Sequence, residues 1–239
     1  MVEIQNQSST EGVTPLRWTL GILTGFAVAM ALLESAVVVY MRRLYYPENP
    51  LELFPLHFLK QYDPALELSR EIATVVMIIT VALLAERSKN WTRRFAAFVF
   101  VFGTWDLFYY VWLKVLMDWP RTWLEWDVLF LIPMVWLGPW ICPALIALLF
   151  MIWGGWVLGS PHRLRFTPMG VAVFVVGACV GLVSFMEPAA SVMMQTGKDG
   201  MEELSQYVPG KFLWWLYIPS LVLMAGGFCD DQANFRLNQ

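Results

Sequence analysis

Residues 103–140, GTWDLFYYVWLKVLMDWPRTWLEWDVLFLIPMVWLGPW, combine a long apolar run with charges that such a run ordinarily excludes. Up to Trp119-Pro120 the segment reads as a helix. On it Asp106, Tyr110 and Lys114 recur at i, i+4 and i+8 and share one stripe, while Trp105, Tyr109 and Trp112 fall on a neighbouring face. Beyond Pro120 stands a second set of charged and aromatic groups, Trp123, Glu125, Trp126 and Asp127. From Trp123 to Leu158 the hydrophobic run is too long for one straight crossing at roughly 1.5 Å per residue. Thr122 and Glu125 have the T-x-x-E spacing of a capping box, and Pro133, Gly138, Pro139 and Pro143 interrupt the helical pattern downstream. The pattern predicts a half-helix over 123–132, re-entrant or interfacial, and then a full span over 140–158.

The rest of the chain sets this stretch in a membrane. Of 239 residues, 58% are hydrophobic and 15% charged, and the mean hydropathy is +0.56, outside the usual soluble range. Apolar runs of about 20 residues, the length that crosses a hydrocarbon core of about 30 Å, recur between short polar loops. The runs are continuous rather than alternating, which argues against a β-barrel. Thirteen Trp and eight Tyr suit an interfacial aromatic belt. The expected fold class is therefore all-α: a polytopic membrane protein of six transmembrane helices plus the half-helix.

In chain order, residues 1–15 read as a polar tail. The membrane domain covers 16–228, with spans at 16–41, 64–85, 95–117, 140–158, 169–186 and 212–228, and residues 229–239 form a second polar tail. The leader is acidic and polar, and the run after Trp18 is longer than a signal-peptide core, so the first span is expected to remain in the membrane. Asp63-Pro64 reads as a capped helix start. Short interfacial pieces are expected between Pro47 and Tyr62. The third span ends at Trp119-Pro120 and the fifth at Glu187-Pro188. Gly177-Ala-Cys-Val-Gly181 has G-x-x-x-G spacing, open either to chance or to a dimer seam. A short amphipathic helix is expected over 201–208, and Pro219 bends the last span. Basic residues crowd the short loops on the side of the termini (Arg87, Lys89, Arg93, Arg94, Arg163, Arg165), whereas Arg42, Arg43, Lys60, Arg70, Arg121, Lys198 and Lys211 spread through longer loops. The positive-inside rule then places both termini in the cytoplasm; for a bacterial cell, the expected membrane is the inner one.

Several function classes drop out. A net charge of −3 offers no basic face to nucleic acid. Cys142, Cys179 and Cys229 lie in separate segments without metal-ligand spacing and read as core fillers. His57 and His162 fall on opposite sides, so this chain ligates no haem, and no zinc or di-iron centre is expected. Nucleophile, P-loop and zincin motifs are missing from the sequence. No cofactor or metal is expected.

The intramembrane charges remain. In the six-span topology Glu34, Asp106 and Lys114 fall in one half of the bilayer, and Glu71, Asp127 and Glu187 near the same end of their helices. Glu34 and Asp106 left ionised and unpaired would together cost roughly 5–7 kcal/mol, so they must be protonated, paired or wet. Arg42, Arg43 and Lys114 are the expected cationic partners, with Tyr45, Tyr109 and Tyr110 as donors. Asp106 is expected to pair with a group of span one, and Lys114 to snorkel to the headgroups. The candidate site is the polar cluster Glu34, Arg42, Glu71, Asp106, Tyr110, Lys114 and Asp127.

Three readings of this cluster stay open: interhelical glue, an outward-facing ligand pocket, or an oxygen-lined cation site of Glu34, Glu71, Asp106 and Asp127. Two functions correspond. One is a membrane subunit or binding protein that packs against lipids, pigments or partner membrane subunits, its charges serving structure. The other is a membrane-embedded enzyme or carrier for a lipid- or isoprenoid-like substrate, with Asp106 as acid or base. In the latter, Tyr110 would orient Asp106, and Lys114 or Arg42 would hold an anionic headgroup.

Overall fold

The computed structural model describes residues 16–56, 64–132, 134–160, 166–196 and 200–237. The leader 1–15, the Asp63 cap, His57, Lys60, Pro133, His162, Arg163, Arg165 and Lys198 lie outside the described residues. The elements are α1 (Leu16–Tyr45), α2 (Pro64–Ala85), α3 (Trp91–Met117), β1 (Trp126–Phe130), β2 (Trp136–Pro139), α4 (Ile141–Gly159), α5 (Pro168–Thr196), α6 (Gly200–Ser205) and α7 (Trp214–Leu237). Helices α1 to α5 are each long and apolar enough to cross a bilayer, and α7 adds a shorter apolar stretch, Trp214–Cys229. The chain is an integral membrane protein, all-α among the described residues apart from one small hairpin.

Small residues decide how closely the helices approach, since without a Cβ two backbones can touch. A Cβ on Gly154 of α4 would lie 2.6 Å from the Ala96 carbonyl oxygen of α3, and one on Gly103 would collide with the Ala147 carbonyl. The same device joins α5 to α7. A Cβ on Gly177 would lie 2.8 Å from the Met224 nitrogen, and one on Gly227 would lie 2.7 Å from the Gly170 carbonyl oxygen. The G-x-x-x-G of α5 is thus a seam inside this chain. Trp153 of α4 stacks on Phe228 of α7 with centroids 4.1 Å apart, at the centre of an apolar core drawn from α1 to α4 and α7.

Helix ends differ from the sequence reading where capping or packing outweighs local pattern. Helix α1 runs on past residue 41 to Tyr45. The third helix starts at Trp91, a turn before residue 95, because the Asn90 side chain accepts from Thr92 N at 2.9 Å and Arg93 N at 3.4 Å. It ends on Asp118 in the left-handed region, φ 58°, whose amide bonds the Lys114 carbonyl oxygen. Helix α5 does not stop at Glu187-Pro188 but continues to Thr196. There Ala189 and Val192 pack with Leu56, Leu137 and Leu204, and that burial outweighs the hydrogen bond lost to the proline. Helix α6 is shorter than the expected 201–208, and α7 continues past residue 228 to Leu237.

The half-helix expected over 123–132 is not formed. Glu125 does accept from Arg121 N at 2.5 Å and Thr122 N at 3.1 Å, as in a capping box. Those bonds close a turn, and the chain then enters β1. It pairs antiparallel with β2, Trp126 opposite Pro139, Asp127 opposite Gly138, Val128 opposite Leu137 and Phe130 opposite Trp136, with a bulge between Val128 and Phe130. The aromatic and β-branched composition favours strands. Pairing also satisfies backbone groups that open chain at this depth would leave bare. Gly138 is required where a Cβ would meet the Phe212 ring at 3.0 Å and the Phe185 ring at 3.1 Å.

Candidate functional site

The hairpin closes over a cavity of about 130 Å³ between α1, α2 and α3. Helix α1 lines it with Glu34, Val38, Met41, Arg42 and Tyr45, and α2 with Glu67, Arg70, Glu71 and Thr74. Both sets recur at helical spacing and so share one face. Helix α3 adds Trp105, Asp106, Tyr109 and Tyr110, and the hairpin adds Asp127 to Leu131. On α2 the buried residues Glu71, Thr74, Ile78 and Ala82 form one stripe, polar at the cavity and apolar beyond it.

Most of the charges are spent on tying the walls together. Arg42 Nη2 donates to Asp127 Oδ1 at 3.0 Å, with both side chains 3% exposed, which pins the hairpin to α1. The same guanidinium lies 4.0 Å above the Trp119 ring. Glu34 of α1 is met by the Arg70 guanidinium and the Thr74 hydroxyl of α2, and Arg70 also reaches Glu67 at 2.9 Å. Glu71 accepts the Leu131 amide at 3.1 Å, fastening α2 to the end of β1. Ser35 donates to the Tyr109 carbonyl at 3.0 Å and Trp112 to the Val28 carbonyl at 3.0 Å, so α1 is stitched to α3. Burial pushes the Asp127 carboxyl up to about 6, against the lowering effect of Arg42 and the Val128 amide.

Asp106 differs from these. Among the described residues no hydrogen bond or ion pair engages its carboxylate, and the expected pairing with a span-one group is not made. Three further groups of the wall hold unused capacity: Arg42 Nη1, Asp127 Oδ2 and Trp105 Nε1 are buried without a hydrogen-bond partner among the described residues. Such orphans are few in folded proteins and call for a physical account.

Six residues of the sequence-derived cluster, Glu34, Arg42, Glu71, Asp106, Tyr110 and Asp127, line this one cavity. Lys114 does not. It sits two turns beyond Asp106, exposed, bonded to Asp118 at 2.7 Å and to the Pro120 carbonyl oxygen at 3.0 Å. Among the described residues no group of three or more His, Cys, Asp or Glu is gathered that could hold a metal ion. Glu67, Arg70 and Thr74 escape the sequence reading of the site. Their spacing with Glu71 on one face of α2 is the signal that could have found them. Compared with known protein families, curated proteins and solved structures, the chain matches none.

Proposed function

We propose that this integral membrane protein binds the polar end of a lipid-like amphiphile in the cavity beneath the hairpin, with Asp106 as the group that meets it and exchanges a proton with it. The observation that carries this reading is the contrast within one wall. Glu34, Glu71, Arg42 and Asp127 are engaged in ties between elements, whereas Asp106 is committed to none. An unpaired carboxylate at such a depth is costly, and a ligand offering a hydrogen bond or a charge lowers that cost. The structural function of the paired charges and the binding function of Asp106 are complementary. In this reading both termini face the cytoplasm, the hairpin faces outward, and the membrane is a bacterial inner membrane.

A purely structural role, in a subunit that packs against lipids or partner subunits, draws support from the same ties but leaves Asp106 without a purpose. Asp106→Asn separates the two. Native mass spectrometry of the purified protein should show an unchanged assembly state and loss of a copurifying amphiphile. Dissociation or unfolding, with no change in what copurifies, sinks the binding reading in favour of the structural one.

A further inference from the structure

The charge balance of the cavity, which rests on the binding reading above, narrows the ligand. Among the described residues five carboxylates line it, Glu34, Glu67, Glu71, Asp106 and Asp127, against two guanidiniums, Arg42 and Arg70. Both guanidiniums already sit in ion pairs, with Arg42 Nη1 left over. Arg42 is held by Asp127, and Arg70 is shared between Glu34 and Glu67. An anionic headgroup would find Arg42 Nη1 as the one unused guanidinium donor among these lining residues, on a guanidinium already neutralised by Asp127, and would have to approach Asp106 and Glu71 against like charge. The orphaned Asp127 Oδ2, on a residue 2% exposed, adds a second unused acceptor to the wall that holds Asp106. The remaining lining is aliphatic and aromatic, with Trp105, Tyr109 and Tyr110, and aromatic rings tolerate a cation as they do an alkyl chain.

We infer that the cavity recognises a cationic head, an alkylamine or similar ammonium group on an apolar chain, with Asp106 as counter-charge. The space suits a headgroup of a few heavy atoms rather than a whole lipid. Arg70, 29% exposed, bridges Glu67 of α2 to Glu34 of α1 and is more exposed than either of them. An alkyl chain leaving beside Arg70 would run between α1 and α2 toward the bilayer. Pairing the ammonium with Asp106 removes the penalty of a lone buried charge, which is why the affinity should depend on that one carboxylate.

The test uses the full-length protein in maltoside micelles at low ionic strength and pH 7, titrated with dodecylamine, dodecyl phosphate or dodecanol. These share one chain and differ only at the head. Saturable binding of the amine, preferred over both others and weakened about tenfold or more by Asp106→Asn, is expected, a tenfold loss being about 1.4 kcal/mol. Glu67→Gln, at the half-buried rim, should weaken the amine several-fold, and decides the matter if the Asp106 variant does not fold. Equal or tighter binding of the phosphate or the alcohol overturns the cationic assignment and leaves the pocket standing. Amine binding that neither variant alters is partition into the micelle and also overturns it. If no probe binds while an amphiphile of another head copurifies, the ligand class is wrong and the pocket reading survives. If nothing binds and nothing copurifies, both fall.

Discussion

Removing one partner of the Arg42–Asp127 pair tests what holds the hairpin in place. Both side chains are 3% exposed and 3.0 Å apart, so Arg42→Met leaves an uncompensated carboxylate under the hairpin. Breaking a buried pair from one side costs about 3–5 kcal/mol, whereas replacing both partners with neutral groups is often close to neutral. Arg42→Met should therefore be strongly destabilising, and Arg42→Met with Asp127→Asn should recover most of the loss. The assay is a double-mutant cycle on thermal unfolding in micelles, followed by tryptophan fluorescence. A pH series adds a second readout. Burial pushes the Asp127 carboxyl up to about 6 in the fold, above its value of about 3.9 when unfolded, so between those values the native state binds the extra proton. Its contribution to stability then improves as pH falls through 6 toward 4 and is lost as pH rises. Losing Arg42 should strengthen that dependence, and Asp127→Asn should abolish it. Single substitutions that each cost under about 1 kcal/mol and simply add would refute the reasoning, since the pair would then not be the clamp that burial implies.

Packing and surface charge give three more expected outcomes. Gly103→Ala and Gly177→Leu should each cost about 1–3 kcal/mol by forcing packed helices apart, whereas Gly25→Ala, where nothing described lies within 4 Å, should gain up to about 1 kcal/mol from helix propensity; thermal unfolding in micelles compares the three. Lys114→Gln should leave both amphiphile binding and the melting temperature unchanged, because Lys114 pairs with an exposed Asp118 outside the cavity. Arg93 donates to the Val157, Leu158 and Ser160 carbonyls at 3.2–3.3 Å and to Glu86 at 2.9 Å. Arg93→Lys should lower stability by about 1–3 kcal/mol through loss of the planar fork. Burial alone would raise the Glu86 carboxyl, yet bonds from Ser88 and Arg93 hold it below its ordinary value. That stabilisation is present above about pH 4.3 and lost as pH falls through the depressed value, a loss that Arg93→Lys should blunt in an acid melt.

How much of the site is legible in the sequence varies with the range of the signal. Glu34, Arg42, Glu71, Asp106 and Asp127 stand out because charge is expensive in an apolar run, and helical spacing places Tyr110 beside Asp106. Lys114 shares that stripe and is grouped with them on that ground. Two turns of helix carry it past the hairpin to Asp118 instead, and stripe membership says nothing about depth relative to a lid. Arg70 looks like a loop cation because its partner Glu34 lies 36 positions away. The hairpin is not legible because short apolar runs next to proline fit a broken helix as well as a strand, and only a partner strand decides between them.

Hydropathy along the chain is sufficient to establish a helical membrane protein, since the hydrocarbon core imposes length and apolarity on each crossing segment separately. It also shows which segments carry charge that must be reconciled with lipid. Tertiary structure alone decided that residues 126–139 pair as strands, that α5 continues through Pro188, and that five acids meet two arginines while Asp106 stays free. Those outcomes depend on what lies across a gap from each residue, a relation between distant parts of the chain that no local pattern encodes.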